Sequence, residues 1–352
     1  MQSVETASKQ QNANTSALEG LEAHVETEYV PCSLCGSTRT REVAIGTDRE
    51  YPTSSDEFHI VECCDCGLHY LNPRPTAAEL ARIYPSNYYA YNYRPAGQAR
   101  KALPLVTRIR HRLFATRFTE VLRRVADRPS IELLDVGCGD GWMLDLYKRA
   151  DPARINTFGV DFNEAACDVA RQQGHTVYCS RFEDLHISGR FDIVNLSQVI
   201  EHVSDPLAVA RKSFEVLRPG GLFVVETPNT DTWDYRRFSR GAWGAYHIPR
   251  HWNLFDPASI QRLGETAGFR LRTIVFNPAA VHWVWTFHNL TVTREDWIGR
   301  LGRRVFAPLD VFNGSPKTFV MLAAGTLGDL TLRALTGRTS NMMAIFEKEI
   351  SS

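Results

Sequence analysis

Two groups of residues in this sequence have the types and spacing to do chemistry. The first is Asp135-Val-Gly137-Cys138-Gly139-Asp140-Gly141, which follows the β-favouring run Ile131-Glu-Leu-Leu. Gly137 and Gly139 can take backbone angles closed to other residues, and lacking a Cβ they let a ligand lie against the main chain. The order is G-x-G-x-G, not the G-x-G-x-x-G of a dinucleotide site, and Asp135 and Asp140 stand beside it. Two carboxylates would repel a pyrophosphate and would suit a cationic ligand. The second group is Cys32-Ser-Leu-Cys35-Gly36, answered by Cys63-Cys64-Asp-Cys66-Gly67. Two C-x-x-C knuckles, each followed by glycine and separated by a strand-forming stretch, match the spacing at which four thiolates surround Zn2+ tetrahedrally. Cys32, Cys35, Cys63 and Cys66 are the expected ligands, with Cys64 spare and His69 a strand residue. Four thiolates leave no open coordination position, so this metal would hold a fold and do no chemistry.

The elements needed to position the glycine loop follow in order. Asn156 to Asp161 reads as a second strand ending in an acid about twenty residues on, where such folds hydrogen-bond a ribose diol. Asn163 can cap the next helix. Thr176 to Cys179 reads as a third strand, and Phe191 to Leu196 as a fourth running into Ser197-Gln198-Val-Ile-Glu201-His202. Asp205-Pro206 gives a cap and a first-turn proline for a helix to Leu217, ended by Arg218-Pro219-Gly220-Gly221, with a fifth strand from Leu222 to Glu226. Alternating strands and helices in this order require a parallel sheet with its ligand beyond the strands' carboxyl ends.

The run Leu133-Leu134-Asp135-Val-Gly137-Cys138-Gly139-Asp140-Gly141 resembles, nearly letter for letter, the first motif of the class I S-adenosylmethionine-dependent methyltransferases. The resemblance implies an α/β fold, a Rossmann-like seven-stranded methyltransferase sheet. It places Asp135, Gly137, Cys138 and Gly139 under the methionyl part of the cofactor, with its ammonium and sulfonium charges. It implies Asp161 and Phe162 beside the ribose, Phe182 and Glu183 or Asp184 at the adenine, and Gln198 in the next motif, which includes Glu201-His202. The cysteine knuckles followed by this core resemble an N-terminal module found ahead of many bacterial methyltransferases, commonly ones acting on sugars, lipids or secondary metabolites. Sugar C-methyltransferases share the front half but carry a further large C-terminal domain that this chain is too short to hold.

The remaining segments divide as follows. Residues 1–28 are polar and expected to be disordered, 29–76 form the zinc ribbon, and 77–128 a basic helical linker that opens with a Thr76/Glu79 capping box. A cluster of Tyr84, Asn87, Tyr88, Tyr89, Tyr91 and Tyr93 reads either as a wall of the pocket or as packing between ribbon and core. The core spans 129–275 and includes an aromatic loop, 228–255, in which Trp233, Trp243, His247, His251 and Trp252 suit a substrate pocket. Asp256-Pro257 caps a helix ending at Gly268, and Phe269 to Val275 is strand six. Residues 276–340 interrupt the expected hairpin as a helical lid or a membrane-surface insertion, and 341–352 hold the last strand and tail.

Methyl transfer to a hydroxyl needs proximity, alignment and removal of a proton, work that suits a histidine. His202, His247 and His251 are the candidate bases, each with an alternative as a structural brace. The reading is an enzyme that moves a methyl group from S-adenosylmethionine to an oxygen or carbon of a small-molecule, sugar or lipid-linked acceptor. The alternative is an RNA-modifying methyltransferase that uses the ribbon and basic helix. Against nucleic acid stands the balance of 40 Lys plus Arg with 40 Asp plus Glu over 352 residues, which leaves no global field to attract a polyanion. With no leader and no run long enough to span a bilayer, the expected location is cytoplasmic, with peripheral membrane contact through the insertion as a minority reading.

Overall fold

In the computed structural model, the described residues are 24–86, 88, 118–187, 189–306 and 316–349. Seven strands form one sheet: β1 (Ile131–Val136), β2 (Ile155–Asp161), β3 (Thr176–Cys179), β4 (Phe191–Ser197), β5 (Leu217–Pro228), β6 (Arg270–Asn277) and β7 (Asn341–Glu347). Their spatial order is β6-β7-β5-β4-β1-β2-β3, with β7 antiparallel to both its neighbours. The four contacts among β5, β4, β1, β2 and β3 are all parallel. The order reverses between β1 and β4, which opens a crevice at the carboxyl edge above that pair, where open α/β sheets bind ligands.

Helices cover both faces, and their starts follow the local chemistry. Helix α1 (Trp142–Ala150) begins at the glycine loop, and α2 (Glu164–Gln172) is capped by Asn163, whose side chain accepts from Ala166 N. Helix α3 (Pro206–Val216) is capped by Asp205 with proline in its first turn, and α4 (Pro257–Thr266) carries a reciprocal cap between Asp256 and Ser259. Each cap satisfies an amide that the helix's own bonding leaves open. Leu134, Val194, Val225 and Phe346 pack one core face of the sheet, and Leu133, Ile193, Val224 and Ile345 the other. This is the period-two alternation of strands covered on both sides.

The ribbon is a second sheet. Strands Thr40–Gly46, Phe58–Cys63 and His69–Leu71 pair antiparallel, and the aromatic loop contributes a fourth, Asn253–Leu254, against His69 and Tyr70. The aromatic loop is therefore built into the ribbon rather than free above the core. Two expectations change here. Of the tail taken as disordered, residues 24–28 belong to the fold: Val25 is buried and donates to Asp56, and Thr27–Glu28 pairs with Arg74–Pro75. The other is the capping box: Thr76 precedes a 3-10 turn and forms no side-chain cap.

Between β6 and β7 lie α5 (Ala280–Thr291), α6 (Trp297–Val305) and α7 (Pro316–Thr336). Helix α5 closes on the aromatic loop so tightly that a Cβ on Gly244 would lie 2.2 Å from the His282 carbonyl. Most of the basic stretch 94–128, and Asn87, Tyr89, Tyr91 and Tyr93, lie outside the described residues. Of its described cations, Arg123 and Arg124 pair with Glu120, and Arg128 holds Asp192 and the Gly220 carbonyl, so these serve the fold.

Candidate functional site

The glycine loop lies at the reversal point of the sheet. Gly137 has φ +69°, and a Cβ there would sit 2.8 Å from Val199 Cγ2, so the position is closed to other residues twice over. Above Gly139, at φ +51°, a Cβ would meet nothing within 4 Å. Asp135 is buried at the tip of β1 and accepts from Asn195 Nδ2 at 2.7 Å across the β1–β4 seam. Burial, with Asp161 nearby as a further cause, pushes its carboxyl up to about 7. Asp161, at the tip of β2, accepts from Gly139 N and Asn163 N, both at 2.9 Å, and burial raises it too. Two buried carboxylates at adjacent strand tips, beside the open space above Gly139, form a site suited to a cation. The sulfonium and ammonium of S-adenosylmethionine fit that donor set.

Other expected cofactor residues divide. Phe162 projects at the end of β2 and is 73 % exposed. Cys138 turns the other way, into the core: a Cβ on Gly159 would lie 2.5 Å from its Sγ, and its amide is spent on the Val160 carbonyl. Phe182 is buried in the core under its turn, while Glu183 remains partly exposed near Arg181. Gln198 takes the left-handed conformation at φ +56° as β4 ends, a conformation that costs energy and gathers at functional sites. Its amide donates to Asn341, which donates to Glu226, as Ser197 also does.

The three histidines converge on the segment just past Gln198. Ring centroids are 4.6 Å apart for His202 and His251, 5.0 Å for His247 and His251, and 6.1 Å for His202 and His247. His251 Nδ1 donates to the Ala245 carbonyl at 2.8 Å, which fixes its tautomer and leaves Nε2 as the acceptor. His202 Nδ1 lies 3.1 Å from the Arg250 carbonyl and 3.0 Å from the Tyr84 hydroxyl. His247 Nε2 faces the Tyr88 hydroxyl at 3.3 Å, and its Nδ1 bonds the Glu50 carboxylate. Burial pushes His202 down to about 3 and His247 and His251 well below the usual histidine range. Burial thus favours the neutral form of all three rings, and a proton taken by one needs a carboxylate beside it.

Sequence reasoning missed those carboxylates. Glu50, raised well above its ordinary value by burial, and Asp48 both come from the ribbon's Thr47-Asp48-Arg49-Glu50-Tyr51 loop, about two hundred residues from the His247 and Arg250 they bind. Arg250 is fully buried and binds Asp48 through both terminal guanidinium nitrogens, at 3.1 and 2.7 Å, with the Tyr51 ring 4.6 Å away. Burial opposes the Asp48 charge, but the hydrogen bonds and charge of Arg250 hold it below the usual carboxylate range. The sequence offered no distinctive signal, because charged residues such as Arg41, Glu42, Asp56 and Glu62 recur through the same ribbon. Glu201, also buried, accepts from Thr227 Oγ1 at 3.0 Å, while Oε1 has no partner among the described residues, and burial raises the carboxyl to about 8. Glu201, His202 and His251 each offer a ligand atom within 4.8 Å of the others, so this corner could hold a divalent cation.

In the ribbon, Cys32, Cys35, Cys63 and Cys66 converge, with Sγ separations of 3.5 Å for Cys32–Cys66 and for Cys35–Cys63. Cys64 is exposed and outside the group, and His69 lies in a strand with Nδ1 2.8 Å from the Tyr235 hydroxyl.

A sheet with this strand order, carrying an acidic glycine loop at its reversal point, defines a Rossmann-like methyltransferase core. A family described as "Methyltransferase domain" matches residues 106–274. The chain is 33% identical over 177 residues to the ubiquinone biosynthesis O-methyltransferase of Cereibacter sphaeroides, covering 46% of this chain and 70% of that one. It is 28% identical over 167 residues to the protein of the same name from Rhodopseudomonas palustris, covering 44% and 65%. A solved S-adenosylmethionine-dependent methyltransferase from Archaeoglobus fulgidus superposes with a TM-score of 0.43 at 18% identity, over 68% of this chain and 94% of that one. This chain belongs to the class I S-adenosylmethionine-dependent methyltransferases.

Proposed function

We propose that the protein transfers a methyl group to a hydroxyl oxygen, or an acidic carbon, of a small-molecule, sugar or lipid-linked acceptor bound between the ribbon and the core. The observation that carries this reading is the convergence of His202, His247 and His251 with Tyr84 and Tyr88 beside the cofactor loop. The donor supplies an electrophilic methyl carbon already activated for in-line displacement. Asp135 and Asp161 hold its positive and ribose ends, and Val199, seated on Gly137, joins the loop to the histidine segment. On the acceptor side the reactive form has Glu50 ionised although burial opposes that charge: Nδ1 of His247 then donates to it, and Nε2, facing the Tyr88 hydroxyl, is left as the acceptor. We assign His247 as the proton acceptor, with Glu50 stabilising the charge that forms, the role a buried carboxylate plays behind a catalytic imidazole. His202 and His251, tied to carbonyls, position the pocket.

We also propose that the four ribbon thiolates hold Zn2+. Four thiolates within 4.8 Å of one another, and the closed coordination they would give, fit a structural ion whose work is to keep the Asp48–Glu50 loop against Arg250 and His247.

The test is incubation of a cell extract with labelled S-adenosylmethionine and the full chain, wild type or His247→Ala. Label entering the small-molecule or lipid fraction with wild type and lost with the variant supports the reading. Label entering only RNA or protein sinks it.

A further inference from the structure

Helix α7 is 21 residues long, and its stretch Phe319–Thr336 is only 6 % buried although apolar enough to cross a membrane. Its single acid, Asp329, is turned wholly inward, where it accepts from Trp283 Nε1 at 2.8 Å and Ala279 N at 2.6 Å. What remains outward is greasy: Val320 is 65 %, Leu327 66 % and Leu335 77 % exposed. The neighbouring α6 repeats the pattern, with Trp297 65 % and Leu301 52 % exposed. The two helices are joined: Phe306, just past α6, packs on Phe287 of α5, whose ring stacks on Trp283, and Lys317 of α7 donates to the Arg304 carbonyl.

The charge around this apolar face is predominantly positive. Among the described residues from 294 to 336, exposed Arg294, Arg300, Arg303, Arg304, Lys317 and Arg333 stand against exposed Glu295 and Asp296. Asp296 is spent capping α6 and pairing with Arg294. Arg300 and Arg303 donate to main-chain carbonyls and meet no carboxylate among the described residues. An exposed apolar face ringed by Arg and Trp is the composition of an element that lies in a lipid headgroup region.

We propose that the α6–α7 face docks the protein on an anionic phospholipid bilayer, lying in the plane of its surface. A crossing is excluded by the anchoring of the helix. Midway along α7 a Cβ on Gly325 would lie 3.0 Å from the Ala280 carbonyl, Asp329 is bound to α5, and β7 begins five residues after Thr336. The helix is therefore held at Gly325 and Asp329 against one side of a folded core, whereas a span requires about 30 Å of free helix. The same hairpin reaches the pocket, since Trp285 on the inner face of α5 lies 6.1 Å from His247 while Phe287 and Leu290 face outward. The docking itself does not depend on which acceptor is methylated.

The test is flotation of the full-length protein with vesicles of phosphatidylcholine alone and of phosphatidylcholine with phosphatidylglycerol. The expected result is binding to the anionic vesicles and little to the neutral ones. Leu327→Glu with Leu335→Glu should cut binding at least tenfold with an unchanged circular dichroism spectrum. Arg300→Gln with Arg304→Gln should weaken binding to anionic vesicles by roughly fivefold per charge and leave the fold intact even if the glutamates disturb it. Wild type that floats with neither vesicle, or variants that bind as wild type does, would overturn the proposal. So would a dimer in light scattering that the Leu327→Glu variant dissolves, because the face would then be covered by a second copy.

Discussion

The proposed cofactor side and the proposed acceptor side of this site are built on opposite plans. The cofactor side is local: Asp135, Gly137, Gly139 and Asp161 occupy the tips of adjacent strands within one stretch of chain, and main-chain hydrogen bonds from Gly139 and Asn163 tie it together. The acceptor side is assembled from afar, with Glu50 and Asp48 from the ribbon, Tyr84 and Tyr88 beyond it, His202 after β4, and His247 and Arg250 from the aromatic loop. A local site survives damage elsewhere as long as its strands pair. A distributed site depends on every interface that brings its parts together, so the two halves should be separable by experiment.

The largest separation should come from the ribbon. Cys35→Ser, or removal of metal by a chelator, should abolish methyl transfer by more than about a hundredfold, because structural zinc binding is folding free energy for a small module. Affinity for S-adenosylmethionine, read by calorimetry, should stay within a few fold. Loss of both activities together would break the comparison. Glu50→Gln and His247→Ala should each lower kcat by about 10²–10⁴-fold, the range for a lost general base, again with cofactor affinity retained.

On the other side, Gly137→Ala should weaken cofactor binding about tenfold or more, since a non-glycine residue at its φ of +69° costs roughly 1–2 kcal/mol before the clash with Val199 is counted. A pH series sharpens the point. With its carboxyl near 7 in the fold, Asp135 is protonated in mild acid, so affinity for the cationic cofactor should rise from pH 6 to 8, and Asp135→Asn should flatten that rise. The stability sign is opposite. A carboxyl raised above its unfolded value stabilises the fold fully below that unfolded value, and the contribution is lost as pH climbs through about 7. The protein without cofactor should therefore melt at lower temperature at pH 8 than at pH 6 in proportion to this group, and Asp135→Asn should reduce the difference. The smallest effect should be Thr76→Ala, which loses no cap because none forms and should shift Tm by no more than a degree or two.

Sequence determined the sheet and the cofactor loop because both rest on short-range rules. Alternating burial, caps at Asn163, Asp205 and Asp256, and glycines at positive φ are each settled within a few residues, so the strands and the two acidic tips could be read in order. The paired knuckles were legible for the same reason. Tertiary structure alone decided that Asn253–Leu254 joins the ribbon sheet, that Cys138 and Phe182 turn into the core, and that Glu50 backs His247. Those outcomes depend on which distant surfaces meet. A hydrogen bond across 197 residues leaves no periodicity in the chain that makes it.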